Sequence, residues 1–310
     1  MNLHNFKEDF NALANIVSNK LNITAQAVKR DYFIVYMLDK LVHSEYADVC
    51  VFKGGTSLSK CYPGSIERFS EDIDLTYLGM EEDDKTCEKT IKKIMAVMTE
   101  GAIVQKIPGE GNARNKSRNV WFESEAYKVK LEIGCTVRPE PYNLKTLKSY
   151  IQEYLEEVGN SEALNEFGLR EITINTLDIK RTFLDKVLAV KRHAFCGTLN
   201  HKVRHIYDVV RLYNMPEIQK FLCYEQELKR ILQLTKQTDS YYLQKRNIPQ
   251  NYNPLGAYNF EIWQDKFDSI IKSIYENLHN ELLYTNAQQD FSLALSCFES
   301  INEVFIKIGE

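Results

Sequence analysis

Two aspartates separated by one residue, Asp72 and Asp74, carry the clearest chemical signal in the chain, and they alternate with Ile73 and Leu75. In a β-strand, residues i and i+2 project to the same face, so both carboxylates stand side by side with the apolar pair behind them. Carboxylates that close repel unless a cation lies between them. Mg²⁺ accepts one or two carboxylates and completes its shell with water and substrate phosphates. An Asp-x-Asp alone more often just lines a solvated strand edge, so a second signal is needed.

That signal lies just upstream, in Phe52-Lys53-Gly54-Gly55-Thr56-Ser57-Leu58. A β-rich run from Asp48 to Phe52 meets Gly54-Gly55, and the pattern predicts a helix from Thr56. Glycine lets a phosphate approach the backbone, and a helix N-terminus offers unpaired N–H groups to an anion. The Thr56 and Ser57 hydroxyls can donate to phosphate oxygens. A lone Gly-Gly usually marks a turn. In the order strand, Gly-Gly, helix, strand, a phosphate cradle beside a metal pair is what triphosphate chemistry requires.

The elements that must position these groups divide the chain. Phe6, Phe10, Leu13, Val17 and Leu21 fall at helical spacing, and a second helix is predicted from Thr24, an N-cap residue, to Val42. Cys87, Ile91, Ile94 and Met98 predict a helix over 84–100. Val120 and Phe122 suggest a strand, and Val129, Leu131 and Ile133 alternate with Lys128, Lys130 and Glu132 in a half-polar one. Beyond about residue 178 the pattern turns helical, with Phe183, Val187, Val190 and Ala194 in one stripe and Val203, Ile206, Val210 and Tyr213 in another. The expected fold class is α+β: a mixed domain over 1–165, with leading helices to residue 45, then a mostly helical domain over 166–310.

Composition narrows the class further. The 310 residues are 44% hydrophobic and 26% charged, with 7 Pro and 13 Gly, as in an ordinary globular chain. No apolar run reaches the roughly 18 residues that span a bilayer, and a cytoplasmic location with no membrane contact is expected. Seven scattered cysteines without a CxxC pair suggest neither a zinc site nor a disulfide framework. The net charge of −4 gives no global sign of nucleic-acid binding. Locally, the stretch 104–118 reads as a flexible basic loop with Lys106, Arg114, Lys116 and Arg118 against Glu110, and the Tyr-rich stretch 239–258 offers rings that could stack on bases or pack inward.

Gly54-Gly55-Thr56-Ser57-Leu58 followed by Arg68-x-Ser70-x-Asp72-Ile73-Asp74-Leu75 resembles the AbiEii/AbiGii (MenT-like) nucleotidyltransferase toxin family of the polymerase-β-like superfamily. The 15 residues between Thr56 and Asp72 make a slightly longer gap than the superfamily's usual one. The resemblance implies a polymerase-β-like first domain with a small mixed sheet and a helical second domain that completes the active site. Phe183-Leu-Asp-Lys186 resembles the family's third motif, and Arg204-His-Ile-Tyr207-Asp208 its fourth, with His205 where an aspartate is usual. By that likeness Lys186, with Lys53 and Arg192, would hold the triphosphate. Gly54, Gly55, Thr56, Ser57 and Ser70 would line the nucleotide. Asp72 and Asp74 would hold Mg²⁺ or Mn²⁺, and Glu132 is the candidate third carboxylate. Asp208 would bind metal, orient Lys186 or act as a base. Read from spacing alone, Lys186 and Asp208 are helix-surface residues, Arg204–Asp208 and Asp208–Arg211 being i,i+4 and i,i+3 pairs.

The implied activity is transfer of a nucleoside monophosphate from an NTP to an acceptor, by resemblance the 3′ end of tRNA, in a toxin of a toxin–antitoxin and abortive-infection (phage-defence) system with a cognate antitoxin as partner. The alternatives are a protein or small-molecule hydroxyl as acceptor, a phosphotransferase, and, least favoured, a non-enzymatic nucleotide-binding module.

Overall fold

The computed structural model describes residues 1–243, 248–280, 283 and 287–310. Two compact units result, neither continuous in sequence. The first comprises Met1–Cys61 and Ser70–Leu177, and the second Tyr62–Phe69 and Asp178–Glu310.

The first unit opens with two helices, α1 (Lys7–Leu21) and α2 (Ala25–Val42). Thr24 caps α2 as its type predicts, accepting from the Ala27 N–H at 3.1 Å. The chain then enters β1 (Cys50–Lys53), turns directly into α3 (Gly54–Cys61), and returns in β2 (Asp72–Tyr77). Helix α4 (Asp84–Met98) follows, capped by Asp83. Next come β3 (Ile103–Lys106), β4 (Asn115–Trp121), β5 (Val129–Gly134) and β6 (Tyr142–Leu147). Helices α5 (Tyr150–Glu157) and α6 (Ser161–Glu166) precede β7 (Ile172–Leu177).

Among the described residues seven strands form one mixed sheet in the order β3-β4-β5-β2-β1-β7-β6. Strands β1 and β2 are antiparallel, β2 and β5 parallel, so β2 is central and flanked on both sides. Its alternation holds: Ile73 and Leu75 are buried, Asp72 and Asp74 half-buried. Helix α2 packs on β5 and β7, and it shares a core with α1 and α5 through Phe10, Val17, Tyr32, Phe33, Ile151 and Leu155. Burial of each such side chain stabilises by about 1.5–3 kcal/mol. The basic stretch 104–118 is a correction to the expected loop: its ends are β3 and β4, paired with each other. β3 is a four-residue edge strand exposed along its length, so no alternation of apolar residues marks it.

The second unit is helical: α7 (Ile179–Phe195), α8 (Val203–Tyr213), α9 (Pro216–Leu222), α10 (Glu225–Leu243), α11 (Ser269–Glu276) and α12 (Phe291–Lys307). Its core carries an aromatic group of Tyr258, Phe260, Trp263, Phe267 and Phe298. Tyr252 and Tyr258, from the Tyr-rich stretch, are buried. Residues 244–247 of that stretch lie outside the described residues.

Candidate active site

The centre is built on β2 and its two neighbours. Asp74 is paired in register with Lys53 of β1 on one side and Glu132 of β5 on the other, and Asp72 with Lys130 of β5. The parallel β2–β5 pairing thus sets the second aspartate beside the proposed third carboxylate. Gly54 follows Lys53 with φ +86°, a left-handed conformation costly for any residue with a Cβ. A Cβ there would also lie 3.2 Å from Asp74 Cγ and closer still to its carboxylate. The first glycine of Gly-Gly is therefore fixed twice over, by backbone conformation and by contact with the Asp-x-Asp.

The hydroxyls after it face the protein. Thr56 is buried and donates to the Asp72 carbonyl at 2.5 Å, and its Oγ1 lies 2.9 Å from the Ser70 hydroxyl. Ser57, fully buried, donates to the Gly54 carbonyl at 2.9 Å. Together these bonds pin the start of α3 to the start of β2, bridging the 15-residue gap.

Electrostatics separate the carboxyl groups. Burial, then the neighbouring Glu132 and more weakly Asp72, push the Asp74 pKa up to about 7 against the opposing charge of Lys53. Glu132 moves the other way. Burial opposes its ionisation, but the Lys130 ammonium at 2.6 Å and its hydrogen bond with Asp74 lower its pKa below the usual value. Lys130 also reaches Glu110 at 2.9 Å, and Ser117 donates to Glu132 at 3.3 Å. Sequence reading passed over Lys130, although its i,i+2 spacing to Glu132 on a strand put both on one face.

In the second unit Lys186 and Asp208 meet. The Lys186 ammonium donates to Asp208 Oδ2 at 2.7 Å, and Arg68 grips both carboxylate oxygens through Nε at 2.6 Å and Nη2 at 2.7 Å. All three side chains are buried. Burial would raise the Asp208 pKa, but Arg68 and Lys186 overcome it and hold the group far below the carboxylate range. For Lys186 burial prevails over the attraction of Asp208, and its pKa is lowered. Arg68 appeared in the sequence only as the first letter of a motif, yet it is the main counter-ion of Asp208. Arg192 is ion-paired with Asp239, which also accepts from the Tyr252 hydroxyl at 3.1 Å. His205 is packed at a ring-centroid distance of 6.4 Å from His193, and burial with nearby Lys186 keeps its pKa well below the usual histidine value.

Two cations of the basic stretch are engaged too. Arg114 pairs with Asp84 at 2.5 Å and Lys116 with Glu88 at 2.9 Å, both acids on α4.

A Gly-Gly turn pressed against a strand Asp-x-Asp, in a mixed sheet followed by helices, is the architecture of a nucleotidyltransferase. Residues 36–296 match the family described as nucleotidyl transferase AbiEii toxin, type IV TA system. The chain belongs to that family: it is a nucleotidyltransferase toxin of a type IV toxin–antitoxin system, with an NTP as substrate and an antitoxin as partner. Among solved structures it is similar in fold to MenT4, a nucleotidyltransferase toxin from Mycobacterium tuberculosis H37Rv. That likeness has TM-score 0.50 and 16% identity over 95% of this chain and 98% of that one. JHP933 from Helicobacter pylori aligns at TM-score 0.40 and 14% identity over 91% and 92% of the two chains. No curated protein matches the sequence significantly. No helix among the described residues is long and apolar enough to cross a membrane.

Proposed function

We propose that the toxin moves a nucleoside monophosphate from an NTP to an acceptor hydroxyl, with release of pyrophosphate, at a centre formed by Asp72 and Asp74. The observation that carries this reading is the contact of Gly54, the opening residue of α3, with the Asp74 carboxylate, which puts an anion-binding helix start against a carboxylate pair.

The side chains suit a divalent cation. Burial is the main reason the Asp74 pKa is raised, and the neighbouring Glu132 and Asp72 carboxylates add a repulsion of a kind that a cation removes. Among the described residues no group of three or more His, Cys, Asp or Glu side chains gathers to hold a metal. Asp72 and Asp74 would therefore hold Mg²⁺ or Mn²⁺ with water and phosphate oxygens completing the shell. Glu132 would join only after release from Lys130. Such a cation would offset the charge that develops on the triphosphate.

The chain's own groups do the positioning. Gly54 and Gly55 admit the triphosphate to the start of α3. Thr56, Ser57 and Ser70 hold that turn in shape through their bonds to Asp72 and Gly54, and Lys53 supplies positive charge beside Asp74. Asp208, with both oxygens engaged, orients Lys186 and Arg68 rather than serving as base or metal ligand. Lys186, bonded to Asp208 within the second unit, is the cation that the family resemblance assigns to the triphosphate, and Arg192 is tied to Asp239.

The acceptor we favour is an RNA 3′ end such as that of tRNA, as the family resemblance implies. A protein or small-molecule hydroxyl is the second reading. It is favoured by the pairing of Arg114 and Lys116 with α4 acids, which leaves less positive charge for a nucleic-acid backbone. Incubation with Mg²⁺, each α-³²P-NTP and total tRNA, beside the Asp72→Ala variant, tests both. Label on tRNA with wild type alone establishes RNA nucleotidyl transfer. Label on protein or small molecules selects the second reading. Transfer from γ- but not α-labelled NTP would overturn nucleotidyl transfer altogether.

A further inference from the structure

The first unit buries a second charged cluster that the transfer chemistry leaves unexplained. Lys60, in the last turn of α3, is buried, and its ammonium lies 2.8 Å from Asp31 of α2. It also sits 3.9 Å from the centre of the Tyr150 ring, at the first residue of α5, and 3.8 Å from Glu153. The second Asp31 oxygen accepts from the Tyr150 N–H at 2.7 Å. One lysine and one aspartate thereby join three helices.

A buried ion pair is a poor source of stability, because desolvation offsets the attraction and apolar replacements are often neutral or better. What it supplies is direction, since charge and N–H partners accept only a narrow geometry. Here the element directed is α3. That helix has only eight residues, from Gly54 against the Asp74 carboxylate to Cys61. Holding so short a rod at its last turn sets where its first-turn N–H groups point.

We propose that Lys60 and Asp31, seconded by Tyr150, are positioning residues for the nucleotide: they aim the Gly54–Thr56 end of α3 at the triphosphate. This rests on the nucleotide reading of that end given above. The cluster touches no reacting atom in this scheme and acts through the helix.

The double variant Lys60→Met/Asp31→Asn removes both charges but keeps an oxygen to accept from the Tyr150 N–H. Thermal melting and steady-state kinetics in the NTP are measured beside wild type. The expected result is an unchanged or higher melting temperature with the KM for NTP raised about tenfold, well within what misplacement on the order of 1 Å can produce, and a smaller change in kcat. A folded variant with wild-type KM overturns the proposal. If the double variant does not fold, Tyr150→Leu takes its place, since it keeps both charges and removes only the ring under the ammonium. A KM raised about threefold then supports the proposal, on the scale of a cation–π contact, and an unchanged KM overturns it. Wild type that neither binds nor turns over NTP would be a different failure: it removes the nucleotide reading of α3, and the inference with it.

Discussion

Gly54 is the residue on which conformation and chemistry coincide. Its φ of +86° and its contact with Asp74 make any side chain costly on two counts. Gly54→Ala is expected to destabilise by about 1–3 kcal/mol, the cost of a non-glycine residue in such a region. Nucleotidyl transfer should fall by more than the fraction unfolded explains, because the added methyl displaces the carboxylate. Urea unfolding alongside α-labelled transfer checks this, and wild-type stability or activity would contradict it. The glycine and the Asp-x-Asp were legible because each has few structural uses in that order. Their hydroxyl neighbours were less so. Thr56 and Ser57 read as phosphate ligands from their types, whereas in the fold they bond Asp72 and Gly54 carbonyls. Residue type names a donor, but only the fold chooses its acceptor.

Among the elements, helices α7 and α8 show the same lesson in charge. Spacing alone makes Lys186 and Asp208 surface residues, and only the family motif moved them inward. Both are buried because α7 and α8 pack face to face and a third partner, Arg68, arrives from a distant stretch. Removing the acid should strand two buried cations. Asp208→Asn is expected to cost about 3–5 kcal/mol at neutral pH, read by urea unfolding. The sign with pH follows from the lowered pKa of Asp208. The folded state keeps the group ionised below the unfolded value of about 3.8, so its contribution is full above that pH and fades on further acidification. The gap between wild type and Asp208→Asn should therefore hold down to about pH 4 and narrow below it. A gap that closes between pH 5 and 7 would contradict this assignment. Strands β2 and β5 were visible as alternation in the sequence, and β1 as a short β-rich run. β3 was not, because an exposed edge strand buries neither face.

At the scale of the molecule, the sequence reads as a mixed part over 1–165 followed by a helical part, whereas in the structure the first unit runs on through β7 to Leu177. It gives no hint that Tyr62–Phe69, lying between two elements of the first unit, belong to the second. Eight residues of ordinary composition carry no periodicity, and long-range pairing leaves no local trace. A fragment Asp178–Glu310 would lack Arg68, leaving Asp208 with Lys186 as its remaining partner from that cluster. Such a fragment is expected to show no cooperative melting by circular dichroism, and a sharp transition near that of the whole chain would contradict the division.

The split second unit also bears on how the chain is made. Arg68 and Asp208 are 140 residues apart, so the guanidinium leaves the ribosome long before its counter-ion. At about 5–20 residues per second, translation leaves it waiting on the order of ten seconds or more. Until Asp208 and Lys186 emerge, the stretch preceding the Asp-x-Asp strand cannot settle into its final burial. A nascent copy of the toxin is thus unfinished at its own motif until two thirds of it has been synthesised.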